Sequence, residues 1–156
     1  MRKRIRKNYD RTIPTHDYLK YWRVIRYWAK AKYKVNTPDI EMMLFLYSEQ
    51  LFNKSKFLEY EECMSWDKSR FYRLMKEGWI IVWREKTSKE VALYELSYKG
   101  KRMINTIYKK LNGEDIGEDK QINPLFRHDV SYADKVYRNM IVKMNEFIKQ
   151  QRLNSQ

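Results

Sequence analysis

Two β-rich runs, Trp79-Ile80-Ile81-Val82-Trp83 and Val91-Ala92-Leu93-Tyr94-Glu95-Leu96, flank a polar stretch, Arg84 to Glu90, that contains no apolar residue. Two such runs across a short polar connection make a β-hairpin. The sequence on either side reads as helix, so sheet is confined to this hairpin. The 156 residues include only 4 Gly and 3 Pro. A β-sandwich or barrel needs a turn about every 8–12 residues, and this chain lacks the residues to make them. The length suits one compact domain, and 43% hydrophobic residues allow a real core. The fold class expected is therefore mainly α with a small β-hairpin (α+β).

Apolar and aromatic residues recur at three and four from Asp17 to about Lys34: Tyr18, Tyr21, Trp22, Ile25, Trp28 and Ala29. That spacing predicts a helix with a broad aromatic face. Thr37-Pro38-Asp39 offers a cap, a first-turn proline and an acid for the helix dipole, starting a second helix. Its run from Ile40 to Phe52 is apolar over most of its circumference, which suits a central buried helix. Ser55 can cap a short helix through Glu62, and Ser65 another that runs to Glu77 and stops at Gly78. After the hairpin, Ser97 can cap a helix through about Leu111. Residues 112–130, with Gly113, Gly117 and Pro124, read as a loop. Ser131 can cap a long helix to about Arg152.

The formal net charge is +13, and it comes in blocks. Residues 1–36 hold 12 basic and 2 acidic residues, and residues 64–111 hold 12 and 5. Between them, residues 37–63 hold 2 basic and 6 acidic. Two basic blocks separated by an acidic one point to a directed positive face, the electrostatic footprint of a nucleic-acid partner. Residues 1–13 form a basic arm with little to bury. Its Arg2, Lys3, Arg4 and Arg6 either follow a DNA minor groove or serve as a solubilising tail.

A helix-turn-helix followed by a hairpin is the winged-helix arrangement. "RLMKEGWI" (Arg73 to Ile80) and "LYELSYKG" (Leu93 to Gly100) resemble the MarR family of winged-helix regulators, through the Gly-aromatic-Ile end of the recognition helix and the Leu96-Ser97-x-x-Gly100 run out of the wing. The resemblance implies one winged-helix domain over 14–156. Its DNA-binding lobe would lie at about 37–111, with dimerisation helices at about 17–34 and 131–152. It also implies double-stranded DNA and a second copy of the chain as partners, and it leaves room for a small aromatic effector. Ser88 and Glu90 stand where the family's wing carries an Asp and an Arg. Asp67 and Arg70 stand where its recognition helix is commonly apolar.

At 100° per residue, Phe71, Leu74 and Met75 share one side of the recognition helix. Ser65, Ser69, Tyr72, Arg73 and Lys76 share the other, with Trp66 nearby and Lys68 and Arg70 flanking. Arg and Lys bind phosphates or read guanine edges, and Ser serves several bases. On the wing, Arg84, Lys86 and Lys89 are the expected phosphate contacts. The dimer interface is expected to include Trp22 and Ile25 of the first helix and Met140, Met144, Phe147 and Ile148 of the last.

Signals for catalysis are poor. His16 and His128 lie in unrelated segments without metal-ligand spacing, and the single cysteine, Cys63, excludes an internal disulfide and a cysteine-based zinc finger. Cys63 follows Glu61 and Glu62, whose charges blunt thiol reactivity. No enzyme activity, cofactor, metal or membrane contact is expected, and the cytoplasm is the expected location. The leading function is a sequence-specific, homodimeric DNA-binding regulator of transcription. The alternative is a structural or assembly protein of a virus particle or nucleoid, with the winged helix serving protein contacts or sequence-neutral packing.

Overall fold

The computed structural model describes residues 18–64 and 67–156, with the side chains of Lys20, Cys63 and Met64 excepted. The elements run α1 (Tyr18–Tyr33), α2 (Thr37–Glu49), α3 (Lys54–Met64), α4 (Lys68–Lys76), β1 (Ile80–Arg84), β2 (Leu93–Leu96), α5 (Tyr98–Leu111) and α6 (Tyr132–Asn154). This is a winged-helix order of elements, mainly α with one antiparallel hairpin, flanked by α1 and α6. Among the described residues, no helix is long and apolar enough to cross a membrane.

The helix starts follow local hydrogen-bond chemistry, with two shifts from the sequence reading. Asn36, not Thr37, caps α2. Its side chain accepts from the Asp39 N–H at 2.9 Å, while Asp39 Oδ2 accepts from the Asn36 N–H at 3.2 Å. This reciprocal pair satisfies two orphan donors, and only Asn36 has an acid three residues on. Asp67, not Ser65, caps α4, with its carboxylate taking the Arg70 N–H at 2.7 Å. Asn53 rather than Ser55 serves the start of α3, accepting from the Lys56 N–H at 2.9 Å. Ser97 and Ser131 cap α5 and α6 as expected.

The core runs from α1 through α2 to α5. Ile25, Trp28, Ile40, Met42, Met43, Leu46, Met103, Ile104 and Ile107 are all buried. A second, aromatic part joins the helix-turn-helix to the wing. Phe71 of α4 meets Phe57 of α3 at 5.0 Å and Tyr94 of β2 edge-on at 5.1 Å between ring centroids. Aromatic pairs at such tilted or edge-on angles are favoured by their quadrupoles. The wing is held at its base as well. Phe52, between α2 and α3, bridges Tyr94 through Phe52 N–H to Tyr94 C=O (3.0 Å) and Tyr94 N–H to Phe52 C=O (2.8 Å).

Residues 112–130 form more than a plain loop. Ile116 and Leu125 are buried, and Asn145 of α6 receives the Ile116 N–H (3.0 Å) and donates to its carbonyl (2.7 Å). This segment and α1 together cover one side of α6, burying Ile141, Met144 and Ile148. Near its start, α6 is tied to α1 by Tyr27, which stacks on Tyr137 at 3.7 Å and donates to Asp134 at 2.5 Å.

Candidate nucleic-acid interface

On α4, the buried side is Phe71 and Leu74, which anchor the helix on α3 and the wing. Lys68, Ser69, Tyr72 and Lys76 are exposed, and they fall within about 100° of one another on a helical wheel. The cap holds one end of this stripe, since Ser69 Oγ donates to Asp67 at 2.7 Å. Its other flank carries Arg73, read from the sequence as outward, and Arg70, read as flanking, and both turn to Asp39 of α2.

Asp39, in the first turn of α2, is 1% exposed. Its Oδ1 accepts from Arg70 Nη1 at 2.7 Å and from Arg73 Nη2 at 2.5 Å. Arg70 also donates to Asn36 Oδ1 at 3.1 Å, and Arg73 reaches Glu77 at 3.2 Å. The hydrogen bond to Asp39 raises the pKa of the Arg73 guanidinium. Both arginines therefore clamp the recognition helix to α2. A buried carboxylate needs such partners, because an unpaired buried charge is expensive. Contacts across 31 and 34 residues leave no local trace in the sequence.

Lys54 is a member of this face that the sequence reading lacks. From the first turn of α3 it donates to the Tyr72 hydroxyl at 2.9 Å and lies 5.0 Å over the Tyr72 ring. The contact raises the Lys54 pKa and lowers that of Tyr72. Lys54, Lys68 and Tyr72 rim a hollow of about 170 Å³ floored by Phe57 and Phe71. Ammonium groups above an apolar floor suit a phosphate at the rim and an apolar or stacking group below.

On the wing, Lys86 and Lys89 are exposed. Arg84 is drawn back, pairing with Glu90 at 3.3 Å and donating to the Val91 carbonyl at 3.1 Å. The tip is a turn in which Thr87 Oγ1 accepts from the Glu90 N–H at 3.0 Å. Ser65, Trp66, Arg2, Lys3, Arg4, Arg6 and His16 lie outside the described residues, as does the Cys63 side chain.

The expected dimer residues divide. Ile25 is fully buried and Met144 and Ile148 are 5% exposed within the single chain. They serve the core of the single chain, because α1 and the 112–130 segment cover that side of α6. Trp22 is half-buried, while Met140 and Phe147 are 39% and 43% exposed. Met140 and Phe147 border a groove of about 300 Å³ floored by Tyr21, Val24 and Met144.

The fold and this face define a winged-helix domain with a basic stripe on α4. Among solved structures, the chain is similar to a cysteine-to-serine mutant of MarR from E. coli, complexed with operator DNA. The match has 11% sequence identity and a TM-score of 0.44, and covers 80% of this chain and 84% of that one. No protein-family model matches the chain, and no curated protein matches it.

Proposed function

We propose that this protein binds double-stranded DNA through α4 and the wing and acts as a homodimeric regulator of transcription, without catalysis. One observation carries the reading. Lys68, Ser69, Tyr72 and Lys76 form one exposed stripe on a helix anchored by Phe71 and Leu74, next to a hairpin with exposed Lys86 and Lys89. Lysines of this kind neutralise phosphates, while Ser69 and Tyr72 offer hydroxyls to base edges.

The test is titration of mixed-sequence duplexes at several salt concentrations. Neutralising about 5–8 phosphates gives a slope of log K against log salt of roughly −4.5 to −7. Lys86→Ala and Lys89→Ala should each make it shallower by ~0.9 and weaken all sequences alike. Ser69→Ala and Tyr72→Phe should instead change which sequences are preferred. Absence of binding at low salt overturns the reading.

A specific observation favours the packing alternative. The two arginines of α4, the side chains best suited to bidentate guanine contacts, are held by Asp39. If all four substitutions weaken every duplex equally, α4 is a phosphate clamp and the packing role stands.

A further inference from the structure

Away from the α4 stripe, basic side chains gather over buried rings. Lys32 of α1 and Lys110 of α5 set their ammonium groups 5.2 and 5.8 Å from the Trp28 ring centroid. Trp28 is 2% exposed, so its ring forms a floor rather than a contact surface. Tyr33 meets Trp28 edge-on at 6.2 Å and Trp79 at 6.5 Å. Over Trp79 lies Lys99, 3.9 Å from the ring centroid, with its ammonium donating to the Glu77 backbone carbonyl at 3.2 Å. Arg102, one turn further along α5, is exposed and stacks over Tyr98 at 5.7 Å. A line of cations thus leads from the end of α4 along α5.

Among the described residues, Lys32, Lys99 and Arg102 pair with no carboxylate, while Lys110 has Glu114 at 2.6 Å. Desolvation, with the nearby charges of Lys110 and Arg102, lowers the Lys32 pKa. Like charges have been brought together where an anion would relieve them.

We propose that Lys99, Arg102 and Lys32 form a phosphate track that carries the backbone of the bound duplex beyond α4 and along α5. The inference rests on the DNA-binding reading above and extends its footprint. Continuity selects nucleic acid as the occupant: Lys99 sits on the carbonyl of Glu77, the residue after Lys76, where the α4 stripe ends. The 14 residues of α5 span ~20 Å, the length of roughly six base pairs.

The test compares wild type with a Lys32→Gln, Arg102→Gln double variant, by fluorescence anisotropy on a 30-base-pair mixed duplex over a range of salt. Neither side chain holds a carboxylate, so thermal unfolding should match wild type, and this is measured alongside. The expected result is a salt slope shallower by ~1.8, about 0.9 for each phosphate that is no longer neutralised. Equal slopes on this duplex overturn the track while leaving the DNA reading intact. A wild type that binds no duplex overturns the DNA reading itself. Loss of binding to phosphatidylserine vesicles with an unchanged duplex slope assigns the patch to a membrane surface and overturns the track.

Discussion

Arg73 of the recognition helix donates to Asp39 in the first turn of α2 at 2.5 Å, and Arg70 shares the same oxygen. The carboxylate is buried, while the arginine side chains are 40% and 20% exposed. The orientation of α4 is therefore set by charge as well as by Phe71 and Leu74.

Asp39→Ala should destabilise the protein, removing both the clamp and the reciprocal cap with Asn36. Breaking a buried pair costs about 3–5 kcal/mol when the remaining charge has no water. Both arginines reach solvent here, so the expected loss is roughly 2 kcal/mol. Urea unfolding measures it. Arg73→Ala should cost less, because Arg70 still holds Asp39. A loss from Arg73→Ala as large as that from Asp39→Ala would show that Arg70 adds nothing.

A different contact makes stability pH-dependent at the alkaline end. The hydrogen bond to Asp134, then burial, pushes the Tyr27 hydroxyl from 10.0 up to about 12. The folded state holds this proton more tightly than the unfolded chain. Its contribution is complete below pH 10 and is lost as pH rises from 10 to 12. Tyr27→Phe should flatten that part of the profile. Melting temperatures of both proteins at pH 9 and pH 11.5 test this, and equal drops would refute it.

Gly100 should resist replacement. A Cβ there would lie 3.0 Å from the Trp79 carbonyl oxygen and 3.4 Å from Leu96 Cβ. Overpacking of this kind costs about 1–3 kcal/mol, so Gly100→Ala should sit at the low end and Gly100→Val at or above the high end. Chemical denaturation ranks the two. Gly78 is constrained otherwise: its φ of +82° suits glycine, but no atom lies within 4 Å of an added Cβ.

For the proposed dimer, Met140→Glu with Phe147→Glu should halve the mass seen by light scattering while the fold persists, since both side chains are substantially exposed. Met144→Glu should unfold the chain instead, because Met144 lies in the core. A monomeric wild type at micromolar concentration would remove the interface, and with it the paired recognition helices that a palindromic site needs.

The elements themselves were legible because their signals are local. Ser97 and Gly100 sit in one helical turn, and the wing follows from two adjacent apolar runs. Cap positions were ambiguous where candidates adjoin, as at Asn36-Thr37. The spacing from Asn36 to Asp39 distinguishes them, since only that pair closes a reciprocal cap. The face of α4 was half legible. Periodicity placed Phe71 and Leu74 inward, but not Arg70 and Arg73 onto Asp39, because that contact depends on how two helices cross. Lys54 reaches Tyr72 from another helix for the same reason. The division of α6 also needed three dimensions: Ile141, Met144 and Ile148 share a periodic stripe with Met140 and Phe147, and the 112–130 segment decides which are covered.

The two backbone hydrogen bonds between Phe52 and Tyr94 have a consequence for how the chain reaches this state. They join the link between α2 and α3 to the last strand, with all of α3, α4 and β1 in between. Closing so long a loop is entropically unfavourable until the contacts around it form. Phe71, which packs on Phe57, is completed by Tyr94, so α3 and α4 have no finished aromatic core without the hairpin. Recognition helix and wing should thus appear together in one cooperative step, and a fragment ending at Lys76 should remain largely unfolded.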